Sequence, residues 1–476
     1  MIPKLKTKKQ MEVKTMVMLT LRVMFSGGLL MGHVQVVAAQ NVESGLEVPG
    51  QKGDSENPPG LLEQGRNLVK EGKIEEALLP LRKAADEGDL EAEQLCALLL
   101  VKLNRPALFD EARTRLGNAA RMGSVVALEE QARLALEGGL GQEPDFDLAK
   151  KLLEKAIQQP GASESFFLLG KMAAEGLGRE RDPALAVSFM RRGEQAGSSS
   201  AMFALGQLYL GEGGLVDRDL PQAEKLLEKA YALKNGEAAF YLGMIEEKLR
   251  DGEPNWAKAR EWFEKAGQLG NASAFKKLGD YALAEQGSKK EDAFGFYQQA
   301  AGLKSAEASY TLGLMYEAGR TVPRDQVAAA AWMRIAADRG HALAQNQLGL
   351  WLLSGLGVSP NLKEALNLFE KSALQKYPSA QFNTAILLLN GEETVKEQER
   401  ALGLLKEAGG KGHAEAAAKL AEFCQSGELM KQDVVEAAYW GAIAGRDERF
   451  KELAEQTASQ LGPEQKKDLE RRLQGP

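Results

Sequence analysis

Small residues keep time along this chain. One column of alanines runs through Ala77, Ala112, Ala149, Ala186, Ala223, Ala259, Ala293, Ala329, Ala365, Ala401 and Ala437, at intervals of 34 to 37 residues. A second column follows seven or eight residues behind, at Ala84, Ala120, Ala156, Gly193, Ala230, Ala266, Ala300, Ala336, Ser372, Ala408 and Ala444. A period of this length, repeated this often, marks a stacked repeat array rather than a set of separate cores. Within one period the apolar pattern is helical. In residues 306–341, Ala308, Leu312, Met315 and Tyr316 share one helix face, and Gly319 predicts its C-terminal cap. Val322-Pro323-Arg324-Asp325 reads as a turn. A second helix then carries Ala329, Trp332, Met333, Ile335 and Ala336 inward, and Gly340 closes it. Each period therefore predicts one helical hairpin.

A third column sharpens the picture. Gly170, Gly206, Gly243, Gly279, Gly313 and Gly349 stand mid-helix in the first helix of their units, and Ala385 and Ala421 continue the series. Glycine in a helix interior costs about 1 kcal/mol relative to alanine. Its recurrence predicts an opposing helix too close for a side chain, with Ala329 and its equivalents as the surface it meets. The units at 61–90, 91–124 and 125–160 read as lacking this glycine, with Cys96 and Ala132 at its place in the second and third.

The unit resembles the Sel1-like repeat, a longer-period relative of the tetratricopeptide repeat. The resemblance rests on Ala201, Leu205, Gly206 and Tyr209; on Ala308, Leu312, Gly313 and Tyr316; on the Gly355-Leu356-Gly357-Val358 turn; and on the second-helix aromatics Trp262, Trp332 and Trp440. It covers about residues 61–444, less well in the first three units. It implies an all-α fold, a right-handed α/α superhelical solenoid of about eleven helical-hairpin repeats. It also implies adaptor roles in multiprotein assemblies, in bacteria often at the envelope.

The ends read differently. Residues 1–39 carry Lys4, Lys6, Lys8, Lys9, Lys14 and Arg22 against Glu12, then the apolar stretch Val23–Val37. Val37 and Ala39 suit the positions before a cleavage at Gln40, the layout of a secretory signal peptide, with an uncleaved N-terminal anchor as the alternative. Residues 40–60, rich in Pro, Gly, Ser and acidic residues, predict a disordered linker. The solenoid is expected over 61–446, and 447–476 as C-terminal capping helices with Pro463 opening the last. The expected location is exported, periplasmic or secreted; anchorage in the inner membrane through the N-terminal segment is the alternative.

Charge and chemistry narrow the function. The whole chain carries a formal −7. The basic first 39 residues leave the remainder more acidic still, which argues against phosphate-backbone binding and hence against nucleic acid. Cys96 and Cys424 fall in distant repeats and read as buried free thiols. His33 lies in the leader, while His341 and His413 hold one slot two repeats apart, too far to share a metal. Gly139-Leu140-Gly141, Gly176-Leu177-Gly178 and Gly211-Glu212-Gly213 sit between helices and read as hairpin punctuation, not phosphate loops. Phe167, Phe203, Phe240, Tyr310 and Phe382, each three residues before the glycine column, read as core packing, with a ligand-stacking ladder as the alternative. Trp256, outside the periodic positions, is expected at the surface.

No catalytic, cofactor-binding or metal site is expected, and no cofactor. The leading expectation is a non-enzymatic protein–protein interaction scaffold in the cell envelope, its groove binding one or more proteins or peptides, with membrane contact only through an uncleaved leader. An envelope glycan- or peptide-binding module is the alternative. A β-lactam hydrolase-like activity, associated with cysteine-rich relatives, is weakly supported because this chain has only two cysteines.

Overall fold

The computed structural model describes residues 60–211, 216–249, 253–284, 290–319, 321–391 and 395–474. The leader (1–39) and almost all of the 40–60 linker lie outside the described residues. Among those described there is no β-strand. The chain divides into two compact units between Gly270 and Asn271.

The first unit is six helical hairpins: α1 (Leu61–Lys70) with α2 (Ile74–Asp86), α3 (Leu90–Leu103) with α4 (Phe109–Arg121), α5 (Val125–Glu137) with α6 (Phe146–Ala156), α7 (Ser163–Glu175) with α8 (Pro183–Gln195), α9 (Ser199–Tyr209) with α10 (Leu220–Ala232), and α11 (Gly236–Met244) with α12 (Trp256–Gln268). The second has five: α13 (Ala272–Ala284) with α14 (Lys290–Gly302), α15 (Ala306–Ala318) with α16 (Gln326–Asp338), α17 (Ala342–Ser354) with α18 (Leu362–Leu374), α19 (Pro378–Leu389) with α20 (Val395–Gly410), and α21 (Ala414–Ser426) with α22 (Val434–Ala444). Two further helices, α23 (Lys451–Ser459) and α24 (Pro463–Gln474), pack on α22. Each unit is thus a solenoid segment of tandem hairpins.

Local chemistry sets the helix ends. Ser305 Oγ accepts the Ala308 amide at 3.1 Å, so α15 starts with a satisfied donor. Gly319 ends it in the left-handed conformation, φ 64°. Asp325 accepts the Val327 and Ala328 amides at 2.9 Å each and starts α16. Asp145, Asp182, Asp219, Asn255, Asn361 and Asp433 cap other second helices in the same way.

The alanine columns are the spine of the core. No member of the first column is more than 1% exposed. The second column faces the following hairpin; a Cβ on Gly193 would lie 2.7 Å from Ala201 Cβ.

The glycine column meets the expected alanine through its backbone, and a larger side chain one turn further on as well. A Cβ on Gly313 would approach Met333 Cε at 3.2 Å, while Ala329 offers only its carbonyl oxygen, at 3.3 Å. Gly170 likewise faces Met190, Gly206 faces Leu227, Gly243 faces Phe263, Gly279 faces Tyr297 and Gly349 faces Phe369. The partner lies one helical turn beyond the alanine, four residues on. The alanine brings the backbones close, and the glycine then leaves room for a large side chain. The first hairpin also has its glycine, contrary to expectation: Gly65 is buried in α1, and a Cβ there would lie 2.5 Å from Leu81. Leu81 is again four residues past its column alanine, Ala77.

Candidate interaction site

The residues singled out from sequence scatter through the core and the caps. Cys96 and Cys424 are buried free thiols, and desolvation pushes both up to about 11, so neither is poised as a nucleophile. His341 and His413 are helix N-caps. Nδ1 of each accepts a backbone amide, from Ala344 at 3.2 Å and Ala416 at 3.3 Å, which places the ring proton on Nε2. Each ring stacks on an aromatic of the preceding hairpin, Tyr310 at 4.6 Å and Phe382 at 5.1 Å between centroids. Burial holds both imidazoles below the ordinary histidine value. Among the described residues, no three His, Cys, Asp or Glu side chains are grouped to hold a metal ion.

The aromatic series packs inward. Phe167 is buried, Phe203 meets Tyr241 edge-on at 5.3 Å, and Phe240 lies 5.4 Å from Phe263. Trp256 opens α12 and is 53% exposed, as its position outside the repeat suggests. Gly139–Gly141 and Gly176–Gly178 form hairpin turns, with positive φ at Leu140, Gly141, Gly176 and Gly178. Of the third stretch, Glu212 and Gly213 lie outside the described residues.

A concave surface does form, at a place the sequence does not advertise. Three elements of the first unit enclose a cleft of about 300 Å³. From α10 come Glu224 and Glu228, one turn apart on a single face; Leu242 and Glu246 come from the end of α11 and the π-helical turn Ile245–Leu249 that follows it. From α12 come Lys258, Glu261, Trp262 and Lys265, spaced so that all four share a face. Asn255 N–H donates to the Glu246 carbonyl at 2.9 Å, tying the wide turn to the start of α12. Trp262 forms one wall, braced edge-on by Tyr231 at 5.2 Å. Lys265 Nζ sits 4.1 Å from the centre of that ring, so the exposed indole face already holds a cation. Four carboxylates face two ammonium groups, and Lys258 Nζ lies 3.8 Å from the Glu246 carboxylate. Among the described residues, Glu228 and Glu261 have no ion-pair partner. The cleft is net negative, and its indole face is covered by Lys265. Surface glutamates give no periodic signal, and the π turn that carries Glu246 into the cleft is invisible in the sequence.

A stack of helical hairpins joined by tight turns, with small residues at every close helix contact, defines an all-α repeat protein. The Sel1 repeat family model matches residues 131–160, 164–198, 199–235, 236–271, 306–341, 342–377, 378–413 and 414–446, and the chain belongs to that family. The match omits residues 61–130 and 272–305. In the latter hairpin Ala293 follows Gly279 by two residues fewer than Ala329 follows Gly313. Similar solved structures include a protective antigen of uropathogenic Escherichia coli displaying an SLR fold, at 22% identity over 83% of this chain and 92% of that one, TM-score 0.46. A Sel1 repeat protein of Oxalobacter formigenes is 24% identical over 69% of this chain and 94% of that one, TM-score 0.46. Cysteine rich protein B of Helicobacter pylori is 27% identical over 26% of this chain and 90% of that one, TM-score 0.23. Sel1 repeat proteins are generally protein-interaction scaffolds, and their fold is typically non-catalytic.

Proposed function

We propose that this protein is an exported, non-enzymatic scaffold of the bacterial cell envelope that docks a partner protein through the cleft of its first unit. The observation that carries the reading is the cleft itself: an indole wall, net negative charge and two carboxylates without an ion-pair partner among the described residues. Such a site suits an arginine or lysine side chain that pairs with Glu228 and Glu261, presented on a peptide or loop against the hairpins of the first unit. The basic leader, the apolar stretch Val23–Val37 with small residues before Gln40, and the Pro/Gly-rich 40–60 segment support export, with the linker separating the array from the leader. The helices after residue 446 serve as its closing cap.

In-cell cross-linking followed by mass spectrometry tests both halves. The expected result is a reproducible partner cross-linked near α10 and α12, and a mature N-terminus at Gln40. The charge-reversed variant Glu228→Lys/Glu261→Lys should lose that partner at least tenfold while keeping its helical content. An array that recovers no reproducible protein, or a partner retained in full by the variant, overturns the assignment.

A further inference from the structure

Consecutive hairpins within each unit are joined by one design. The C-cap of the second helix, a single residue in the left-handed conformation and the N-cap of the next hairpin follow one another directly. That middle residue is Gly88, Gly123, Gly197 and Lys234 in the first unit, and Lys304, Gly340, Lys376 and Gly412 in the second, all with positive φ. One joint departs from it. Between Ile157, the C-cap of α6, and Ala162, the N-cap of α7, lie Gln158, Gln159, Pro160 and Gly161. Within either unit, no consecutive helices across a joint pack more sparsely than α6 and α7.

The same joint lacks its own cap. Ala162 has no side-chain acceptor, where Asp89, Ser124, Ser198 and Asn235 supply one at the other joints of the first unit. The acceptor comes from the preceding hairpin instead. Glu129, on α5, receives both the Ser165 amide and the Ser165 hydroxyl on Oε1, each at 2.8 Å. Ser165 is fully buried. The charged groups facing Glu129 are Glu164 on α7 and, on its own helix, Arg133, which pairs with Glu130 at 3.0 Å and reaches Glu164 at 4.0 Å.

We propose that the α6–α7 joint is a pH-responsive hinge, held shut by the protonated Glu129 side chain and loosened when that carboxyl ionises. A neutral carboxyl still accepts both Ser165 donors through its carbonyl oxygen. An ionised one leaves a charge in a half-buried site with Glu164 close by, and opening the joint returns it fully to solvent. Burial pushes the group up to about 7 from its ordinary 4.5, with Glu164 adding to the rise and the Ser165 donors and Arg133 opposing it. The closed joint therefore binds the proton more tightly than the open one. Its extra stability is complete below about pH 4.5, is lost as pH rises to 7, and is absent above. This goes beyond partner binding, because it controls how the hairpins before and after residue 160 are held together.

Amide hydrogen exchange on the full chain, corrected for intrinsic rates, reads the hinge directly at residues 163–169. In the wild type, opening should rise by up to about tenfold per pH unit between pH 4.5 and 7 and level off above. Glu129→Gln should stay protected at every pH, since the amide keeps an acceptor without a charge. Ser165→Ala should exchange faster at pH 5, where the wild type is closed. A flat wild-type profile overturns the proposal, and so does a Glu129→Gln profile that titrates like the wild type.

Discussion

Two neighbouring hairpins of the second unit, α17–α18 and α19–α20, build the same contact from opposite parts. In the first, Gly349 faces Phe369, and a Cβ on the glycine would lie 2.6 Å from the ring. In the second the equivalent positions are Ala385 and Leu405, both buried in one cluster. The first hairpin enters through a histidine N-cap behind Gly340. The second enters through Tyr377, without a side-chain cap, behind Lys376. The difference shows that volume at the hairpin contact is shared between two positions rather than fixed at either. In register along the chain, Phe, Tyr and Met stand opposite glycine only. Cys96 and Ala132 are matched with Leu116 and Leu153, and Ala421 with Gly441. That last exchange has a purpose: Gly441 and Gly445 leave the room into which Thr457 and Ala454 of α23 press.

Gly349→Leu should cost the most. Overpacking typically costs 1–3 kcal/mol, and with the ring already inside contact distance of a bare Cβ we expect about 3 kcal/mol or more. A fall in the urea midpoint of the second unit measures it; a loss under about 1 kcal/mol would show that the hairpin simply opens around the residue. Exchanging the two solutions is more discriminating. Gly349→Ala alone should destabilise, and Phe369→Leu should recover part of that loss, giving a coupling of about 1 kcal/mol in a double-mutant cycle. The converse pair, Ala385→Gly with Leu405→Phe, should be milder than the sum of its single changes. Purely additive effects would remove the claim that the positions share one volume.

Next in size is the cap that one hairpin has and the other lacks. His341→Ala should cost about 1 kcal/mol at pH 8, the usual value of an N-cap. The folded imidazole is held below its ordinary value of 6.5 by burial, with Glu307 opposing. The cap's contribution is therefore present above pH 6.5 and lost as pH falls through the lowered value, because a protonated Nδ1 can no longer accept the Ala344 amide. The cost of His341→Ala should shrink towards pH 5, and His341→Asn should hold the cap at both. Thermal unfolding at the two pH values checks this; an unchanged cost at pH 5 would mean that stacking on Tyr310, not the cap, is what matters.

Much of this architecture is legible in the chain because two small-residue columns and a glycine column each have one physical cause, close helix approach. Legibility stops where contact departs from sequence spacing. Ala329 meets Gly313 through its backbone as its spacing suggests, but the helix crossing also puts Met333 there, one turn on. Gly65 is hidden because the short turn at 71–73 pulls α1 nearer to Ala77 than the later periods allow. Glu129 cannot be recognised as the cap of α7, since it belongs to the hairpin before. Arg339, Gln375 and Lys411 recur at one repeat interval and donate to backbone carbonyls of the preceding joint, at Ser305, Gly340 and Lys376. Their differing chemistry conceals a common role. The cleft is similarly hidden, as ordinary surface glutamates around one tryptophan.

The smallest effect separates the two joints. Lys376 holds φ 61° where the preceding joint has Gly340, and a non-glycine residue in that conformation costs on the order of 1 kcal/mol. Lys376→Gly removes that strain but enlarges the freedom of the unfolded chain, so the net gain should be a few tenths to about 1 kcal/mol. The backbone carbonyl that receives Lys411 Nζ at 2.7 Å is kept, so the bond across the joint survives the change. Gly340→Lys should lose a similar amount at the other joint. Equal and opposite shifts in the unfolding midpoint would show that the two joints are one structure occupied by different residues. A loss of stability from Lys376→Gly would instead mean that the lysine side chain holds its joint together, and that the hairpins differ in kind as well as in composition.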